Sequence, residues 1–272
     1  MKGENPFFKR AGVFGLGLIG GSWARALKNL GAHVTVLDTD PLPCALARDA
    51  GVADKTGGSL EDFNGCDLLI LCVPPTAVCN VLPRLANLEI GLVTDVCSVK
   101  TPVMDAARGM KNFLGGHPMA GGTTPGFAAS NARLFENMPY ALCVARDGNL
   151  PQERVAAFEN LLAQLGAKVV HMTADEHDAA VARVSHLPHA AAFALRRVAM
   201  KQPDCLKLAG RGYADTTRIA HAPAKLWADI LLASPHMRPV LKDYIAELVQ
   251  LSDALPSRDV NTVEKWLQGE KQ

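Results

Sequence analysis

Three glycines at fixed spacing set the tightest constraint on how this chain can fold. Gly15-Leu16-Gly17-Leu18-Ile19-Gly20 directly follows Ala11-Gly12-Val13-Phe14, which reads as a β-strand. It opens a stretch with Trp23, Ala26, Leu27 and Leu30 at helical spacing. In a strand–turn–helix unit the first glycine permits the tight turn. The second lets a pyrophosphate approach the backbone, and the third lets helix pack on strand. The helix N-terminus then presents unpaired N–H groups to the phosphate charge. Gly15, Gly17, Leu18, Ile19 and Gly20 are therefore the expected pyrophosphate cradle. An ordinary tight turn leaves the joint spacing of the three glycines unexplained.

A second strand-like run, His33 to Leu37, ends in Asp38, 18 residues beyond Gly20. A carboxylate there accepts hydrogen bonds from ribose hydroxyls and repels a 2′-phosphate. Thr39 and Asp40 follow, with no arginine to greet that phosphate, so NAD is favoured over NADP. The plainer role for Asp38 is to cap a helix beginning at Pro41.

Further along, Leu68–Val73 is a continuous apolar run, as expected of a strand buried on both faces of a parallel sheet. Strands are also expected at 92–94, 112–114, 140–144 and 168–171. The character changes after residue 172. Thr173 and Glu176 match a capping box, and the helix they start is expected to run to about Met200. Two more helices are expected, Ala224–Ala233 and one opened by Pro235 with Val240, Leu241, Tyr244, Ile245, Leu248 and Leu251 on one side. The expected fold is α/β, a Rossmann-type dinucleotide-binding domain over 1–172 followed by an all-α domain over 173–272. About 100 residues of helix with wide apolar faces would struggle to bury them alone, so the second domain is expected to form a homodimer.

Composition narrows the partners. The chain has 272 residues, 28 Lys+Arg against 27 Asp+Glu, and no basic block, which argues against nucleic acid or an anionic membrane surface. Leu68–Pro83, apolar but broken by Pro74-Pro75, is too short to span a bilayer. Ala11–Ala24 after Lys9-Arg10 imitates a signal peptide, but its glycines are better used as the phosphate loop. Seven scattered cysteines without a C-x-x-C pair indicate reduced thiols and a cytoplasmic address. No zinc site is expected.

Four segments carry candidate chemistry. His117, in Gly115-Gly116-His117-Pro118-Met119-Ala120-Gly121-Gly122, falls where parallel sheets carry ligands, and a histidine there can act as acid or base near neutral pH. Ser98, in Asp95-Val96-Cys97-Ser98-Val99-Lys100, reads first as the N-cap of the following helix. His186 and His189 are three apart on the long helix, which should kink at Pro188. They suit a cleft-facing site and a satisfied core pair equally well. Arg218, near Asp215, suits bidentate carboxylate binding or a buried structural pair with that aspartate.

Taken in order, GLGLIGGS at 15–22, D-x-x-SVK at 95–100, GHPMAG at 116–121, EHD at 176–178, SHLPH at 185–189 and DTTRIA at 215–220 resemble the prephenate/arogenate dehydrogenase family. The resemblance spans almost the whole chain. It implies oxidative decarboxylation of prephenate to 4-hydroxyphenylpyruvate with reduction of NAD, a step of tyrosine biosynthesis. His117 would take the ring hydroxyl's proton, with Ser98 supporting that hydroxyl or His117. His189 would orient substrate, and Arg218, held by Asp215, would pair with a substrate carboxylate. His186 is left structural, and EHD reads as helix start and domain junction.

Where many relatives place a glutamate after HPMAG, this chain has Gly122-Thr123-Thr124-Pro125-Gly126. An obvious partner for the ammonium of arogenate is thus missing, which favours prephenate; arogenate, or both substrates, is the alternative. The chain ends soon after Trp266, so no regulatory domain is expected beyond it, nor a mutase domain before Gly15. More distant readings are a 3-hydroxyacid or imine dehydrogenase, which would need a catalytic lysine or asparagine in the helical domain, and a nucleotide sensor without turnover.

Overall fold

Strand β1 (Arg10–Phe14) ends at the glycine turn, and helix α1 (Leu18–Asn29) leaves it. Then come β2 (His33–Leu37), α2 (Pro41–Asp49), β3 (Lys55–Thr56), β4 (Leu68–Leu71), α3 (Pro75–Val81), β5 (Leu92–Asp95), α4 (Thr101–Ala106), β6 (Phe113–Pro118), β7 (Pro139–Cys143), α5 (Gln152–Gln164) and β8 (Lys168–His171). The computed structural model describes residues 8–122, 124–144 and 150–269. The strands form one sheet in the order β3-β2-β1-β4-β5-β6-β7-β8. Among the described residues only β6 and β7 pair antiparallel.

Every residue of β4 is fully buried, because separate apolar layers cover the two faces of the sheet. One layer centres on Trp23, Phe135, Tyr140 and Phe158, with the Trp23 and Phe135 rings 4.8 Å apart. The other packs Phe63, Leu69, Leu71, Leu82 and Phe113. This is the doubly wound arrangement that alternating strands and helices imply.

β6 runs four residues further than the 112–114 strand read from the sequence, so His117 lies within a strand and not in a loop after it. The cause is tertiary: β7 returns antiparallel and pairs Gly115 with Cys143 through Pro118 with Tyr140, overriding the weak strand preference of two glycines. Gly116 is required there, since a Cβ would sit 2.6 Å from the Asp95 carbonyl oxygen.

The helical part begins as the capping box predicts. Thr173 Oγ1 accepts from the Glu176 N–H at 3.2 Å, and Glu176 Oε2 accepts from the Thr173 N–H at 2.8 Å. Helix α6 (Ala174–Val181) then widens into a π-turn over Ala182–His186 before α7 (Leu187–Ala199). The irregularity expected at Pro188 takes this form. Its ring would collide with the Val184 carbonyl in regular α-geometry, and the turn just before it is the one that opens.

Beyond it lie α8 (Arg211–Thr217), α9 (Ala224–Ala233), α10 (Met237–Ala254) and α11 (Val260–Leu267). Pro235 does not open α10. It sits in the preceding turn, and Pro239 occupies the helix's first turn, where a missing N–H costs nothing. The short helices α8 and α11 were not expected.

The helical part docks on the sheet through Val99, which packs with Trp227 and Ile230. Thr76, at the start of α3, donates from its N–H and its hydroxyl to the Asp229 carboxylate of α9. Among the described residues, no helix is long and apolar enough to cross a membrane.

Candidate active site

The glycine loop has the shape its spacing demands. Gly15 adopts φ +92°, and a Cβ on Gly20 would lie 1.8 Å from the Gly15 carbonyl oxygen. By contrast, a Cβ on Gly17 would meet nothing within 4 Å. Gly17 is therefore not needed for packing. The open space beside it, at the N-terminus of α1, is where a pyrophosphate would approach, and Leu18 and Ile19 begin the helix that faces it.

Asp38 stands at the rim of this loop. Its Oδ2 accepts from the Leu16 N–H at 2.6 Å and its Oδ1 from the Asp40 N–H at 2.9 Å. The cap on α2 is Asp40, whose carboxylate accepts from the Leu42 N–H at 2.9 Å, so the capping role considered for Asp38 belongs to its neighbour. A carboxylate has about four lone-pair sites, so Asp38 is oriented by the backbone and still able to accept from ribose hydroxyls. It lines a cleft with Thr39, Cys44, Arg48, Thr56 and Gly57. Arg48, ten positions beyond Asp38, escapes the reading that no arginine stands near.

His117 is buried on β6. Its Nδ1 lies 2.8 Å from His177 Nε2, and His177 Nδ1 lies 2.8 Å from Asp178 Oδ1. The Asp178 carboxylate also accepts from the Lys100 N–H at 2.7 Å and the Thr101 N–H at 2.8 Å, capping α4 from the helical part. Burial favours a neutral Asp178, but the hydrogen bonds from His177, Thr101 and Lys100 outweigh it and hold its pKa below the usual aspartate value. For His117, burial and then the neighbouring His177, Lys100 and His186 push the pKa well below the ordinary histidine value, so it is a neutral base at physiological pH. Lys100 itself is fully buried; its ammonium pairs with Asp95 and donates to the Gly116 carbonyl at 2.6 Å.

Ser98 does not cap α4. Its hydroxyl is buried and makes no hydrogen bond among the described residues. A buried hydroxyl of this kind costs about 1–3 kcal/mol unless something pairs with it, which a ligand would do. The backbone beside it is held by His186, whose Nε2–H donates to the Ser98 carbonyl at 3.2 Å while its Nδ1 lies 3.2 Å from Ser234 Oγ. Burial, against that bond to the Ser98 carbonyl, brings His186 down to about 4. With both ring nitrogens partnered it is a structural histidine.

His189 donates from Nδ1–H to the Ser185 carbonyl at 3.0 Å and stacks on Trp227 with ring centroids 3.6 Å apart. Its Nε2 is thereby left as an acceptor. Burial and then the Arg218 charge lower its pKa, against the Ser185 bond. Arg218 and Asp215 are both exposed, and no ion pair joins them among the described residues. The expected hold of Asp215 on Arg218 is absent: Asp215 lies in α8 and Arg218 just past its end, both at the solvent face. In the loop after β6, Thr123 lies outside the described residues.

Residues 23–171 match the family model for the prephenate dehydrogenase nucleotide-binding domain, and residues 173–269 match that for the prephenate dehydrogenase dimerization domain. The chain belongs to the prephenate dehydrogenase family. It is 30% identical over 274 residues to a prephenate dehydrogenase of Lactococcus lactis, covering 96% of this chain and 75% of that one. It is 31% identical over 266 residues to a cyclohexadienyl dehydrogenase of Zymomonas mobilis, covering 93% and 90%. The structure resembles that of prephenate dehydrogenase from A. aeolicus in complex with hydroxyphenyl propionate and NAD+, with a TM-score of 0.86, 27% identity, and coverage of 96% of this chain and 95% of that one.

The structure joins His117 to His177 and Asp178, sets the buried Lys100 beside it, and stacks His189 on Trp227; the sequence alone gives His177, Asp178, Lys100 and Trp227 no part in the site. The EHD run lies at the helix start that the sequence implies. Its second residue, His177, also reaches the strand histidine, with Asp178 behind it, and only the tertiary packing of α6 reveals that.

Proposed function

We propose that this chain is an NAD-dependent prephenate dehydrogenase that converts prephenate to 4-hydroxyphenylpyruvate and carbon dioxide in tyrosine biosynthesis. The observation that carries this is a buried, neutral His117 near the C-terminal end of β6 together with a buried Ser98 hydroxyl, unpartnered among the described residues, just past the C-terminal end of β5, as the glycine loop is past that of β1. The loop fits the cofactor: Gly15 makes the turn, Gly17 leaves the approach open, Gly20 packs, and Asp38 faces the ribose. NAD, when bound, supplies the acceptor for the hydrogen and electron pair leaving the carbinol carbon.

The protein's own part is positioning and proton removal. His117 Nε2 takes the proton of the ring hydroxyl as that carbon is oxidised. The Ser98 hydroxyl supports the substrate oxygen. Loss of carbon dioxide aromatises the ring, so no residue has to stabilise a carbanion. His189 offers its Nε2 lone pair to a substrate hydroxyl and is held in place by Trp227. Arg218, free of an ionic partner among the described residues, binds a substrate carboxylate, with Asp215 on the same rim.

The chain divides near residue 172 into a cofactor domain and a helical domain. The helical domain forms a homodimer through the apolar residues that α10 and α11 leave exposed, among them Ile245, Leu248, Val249, Val260 and Leu267. The match to a dimerization-domain model supports this. The seven free cysteines support a cytoplasmic address.

A second reading, activity on arogenate as well, is favoured by the similarity to a cyclohexadienyl dehydrogenase. The deciding experiment is NADH formation with prephenate and arogenate in parallel, in wild type and His117→Asn. Turnover of prephenate that falls about 10²–10⁴-fold in His117→Asn, with NAD binding intact, is the expected outcome. Turnover of arogenate alone, or a mild effect of the substitution, would overturn the assignment.

A further inference from the structure

A general base works only if its lone pair points at the proton it removes, and a neutral imidazole has one lone pair that can sit on either nitrogen. Resting on the reading of His117 as the base, we propose that His177, backed by Asp178, is a positioning residue that fixes His117 with its proton on Nδ1 and its lone pair on Nε2.

The chain of donors and acceptors leaves little freedom. Both oxygens of Asp178 accept a backbone N–H, Oδ1 from Lys100 and Oδ2 from Thr101, and Oδ1 also lies 2.8 Å from His177 Nδ1. With both oxygens already accepting, and its pKa held below the usual aspartate value, the carboxyl is ionised and can only accept. His177 Nδ1 is therefore the donating nitrogen. With His177 neutral, its Nε2 is an acceptor, and among the described residues the group it meets, at 2.8 Å, is His117 Nδ1. That nitrogen must then carry the proton, and His117 Nε2 carries the lone pair. The two rings stand at 73° to each other with centroids 5.0 Å apart, so the contact runs edge to edge and not by stacking. His177 and Asp178 are buried, so water does not offer a competing partner.

The same carboxylate sets more than a tautomer. By holding the N–H groups of Lys100 and Thr101 it pins the end of the segment that carries Ser98, so one anion from the helical domain orients both candidate groups of the sheet domain.

The test uses the full-length protein with ¹⁵N-labelled histidine, and reads the protonation of each His117 nitrogen beside steady-state kinetics and NAD affinity. Wild type should show a protonated Nδ1 and an unprotonated Nε2. His177→Leu should lose that fixed pattern and about 10²-fold in kcat, with NAD affinity within twofold. His177→Gln, which keeps one donor and one acceptor, should recover most of the loss. An unchanged tautomer and kcat in His177→Leu would overturn the proposal. So would equal losses in the leucine and glutamine variants, which would make His177 merely a packing residue. Near-normal turnover by His117→Asn would instead remove the base assignment, and the labelled nitrogens would still report whether His177 sets the tautomer.

Discussion

His189 lies flat on Trp227, with their rings 20° from parallel. The indole thus fixes the plane of a histidine whose Nδ1 is already tied to the Ser185 carbonyl. An aromatic contact of this kind contributes about 0.5–1.5 kcal/mol beyond burial. Trp227→Leu should raise the KM for substrate by about three- to tenfold while changing kcat little, since it loosens a binding group and not the base. Steady-state kinetics check this, and an unchanged KM would remove His189 from the substrate site.

The three loop glycines should fail in different ways. At Gly20 an added Cβ meets the Gly15 carbonyl oxygen at 1.8 Å, so Gly20→Ala should cost about 3 kcal/mol or more of stability even without cofactor. At Gly17 nothing lies within 4 Å and φ is −71°, so Gly17→Ala should keep the wild-type Tm and weaken NAD binding about tenfold or more. Thermal unfolding and NAD titration of the two variants separate these effects. A Gly17→Ala protein with normal affinity would displace the pyrophosphate from this loop.

Asp38 shares its cleft with Arg48. Removing the carboxylate leaves a guanidinium that suits a 2′-phosphate, so Asp38→Ser should raise the NADP-to-NAD ratio of kcat/KM by about tenfold or more without any added arginine. The substitution also releases the Leu16 N–H, so some loss with both cofactors is expected. A ratio that does not move would place the ribose elsewhere.

His117 and His186 are buried with depressed pKa values, His186 to about 4. The unfolded chain, with histidines near pH 6.5, therefore binds more protons than the folded one between those values. Stability rises with pH wherever the unfolded state binds more protons. The fold should accordingly lose stability as pH falls from about 6.5 toward about 4. His186→Gln, which can still serve the Ser98 carbonyl, should flatten that slope. Urea unfolding at a series of pH values measures both, and a wild-type curve flat over this range would contradict the neutral assignment.

Much of this architecture follows from local pattern. The glycine spacing, the apolar run at Leu68 and the Thr173 capping box each encode their element within a few residues, because turn geometry, two-sided burial and helix ends are short-range physics. What escaped was set by distant partners. The extension of β6 through His117 depends on β7 returning from more than 20 positions away, and the apposition of His177 with His117 spans 60. Arg48 and Trp227 were invisible for the same reason: nothing beside them marks the cleft they border. Asp215 and Arg218 show the reverse error, since closeness in sequence suggested a pair that the short helix α8 does not make.

The π-turn over Ala182–His186 also works as a phase corrector. Successive residues of a regular α-helix step about 100° around its axis, so His177 and His186, nine apart, would project about 180° from each other. His189, twelve residues from His177, would lie about 120° away. A π-turn takes up one residue without advancing the helix, which reduces those offsets to about 80° and about 20°. One extra residue thereby swings the SHLPH histidines toward the side where EHD meets the sheet. Deleting a residue from this stretch would straighten the helix and aim the two motifs at different neighbours.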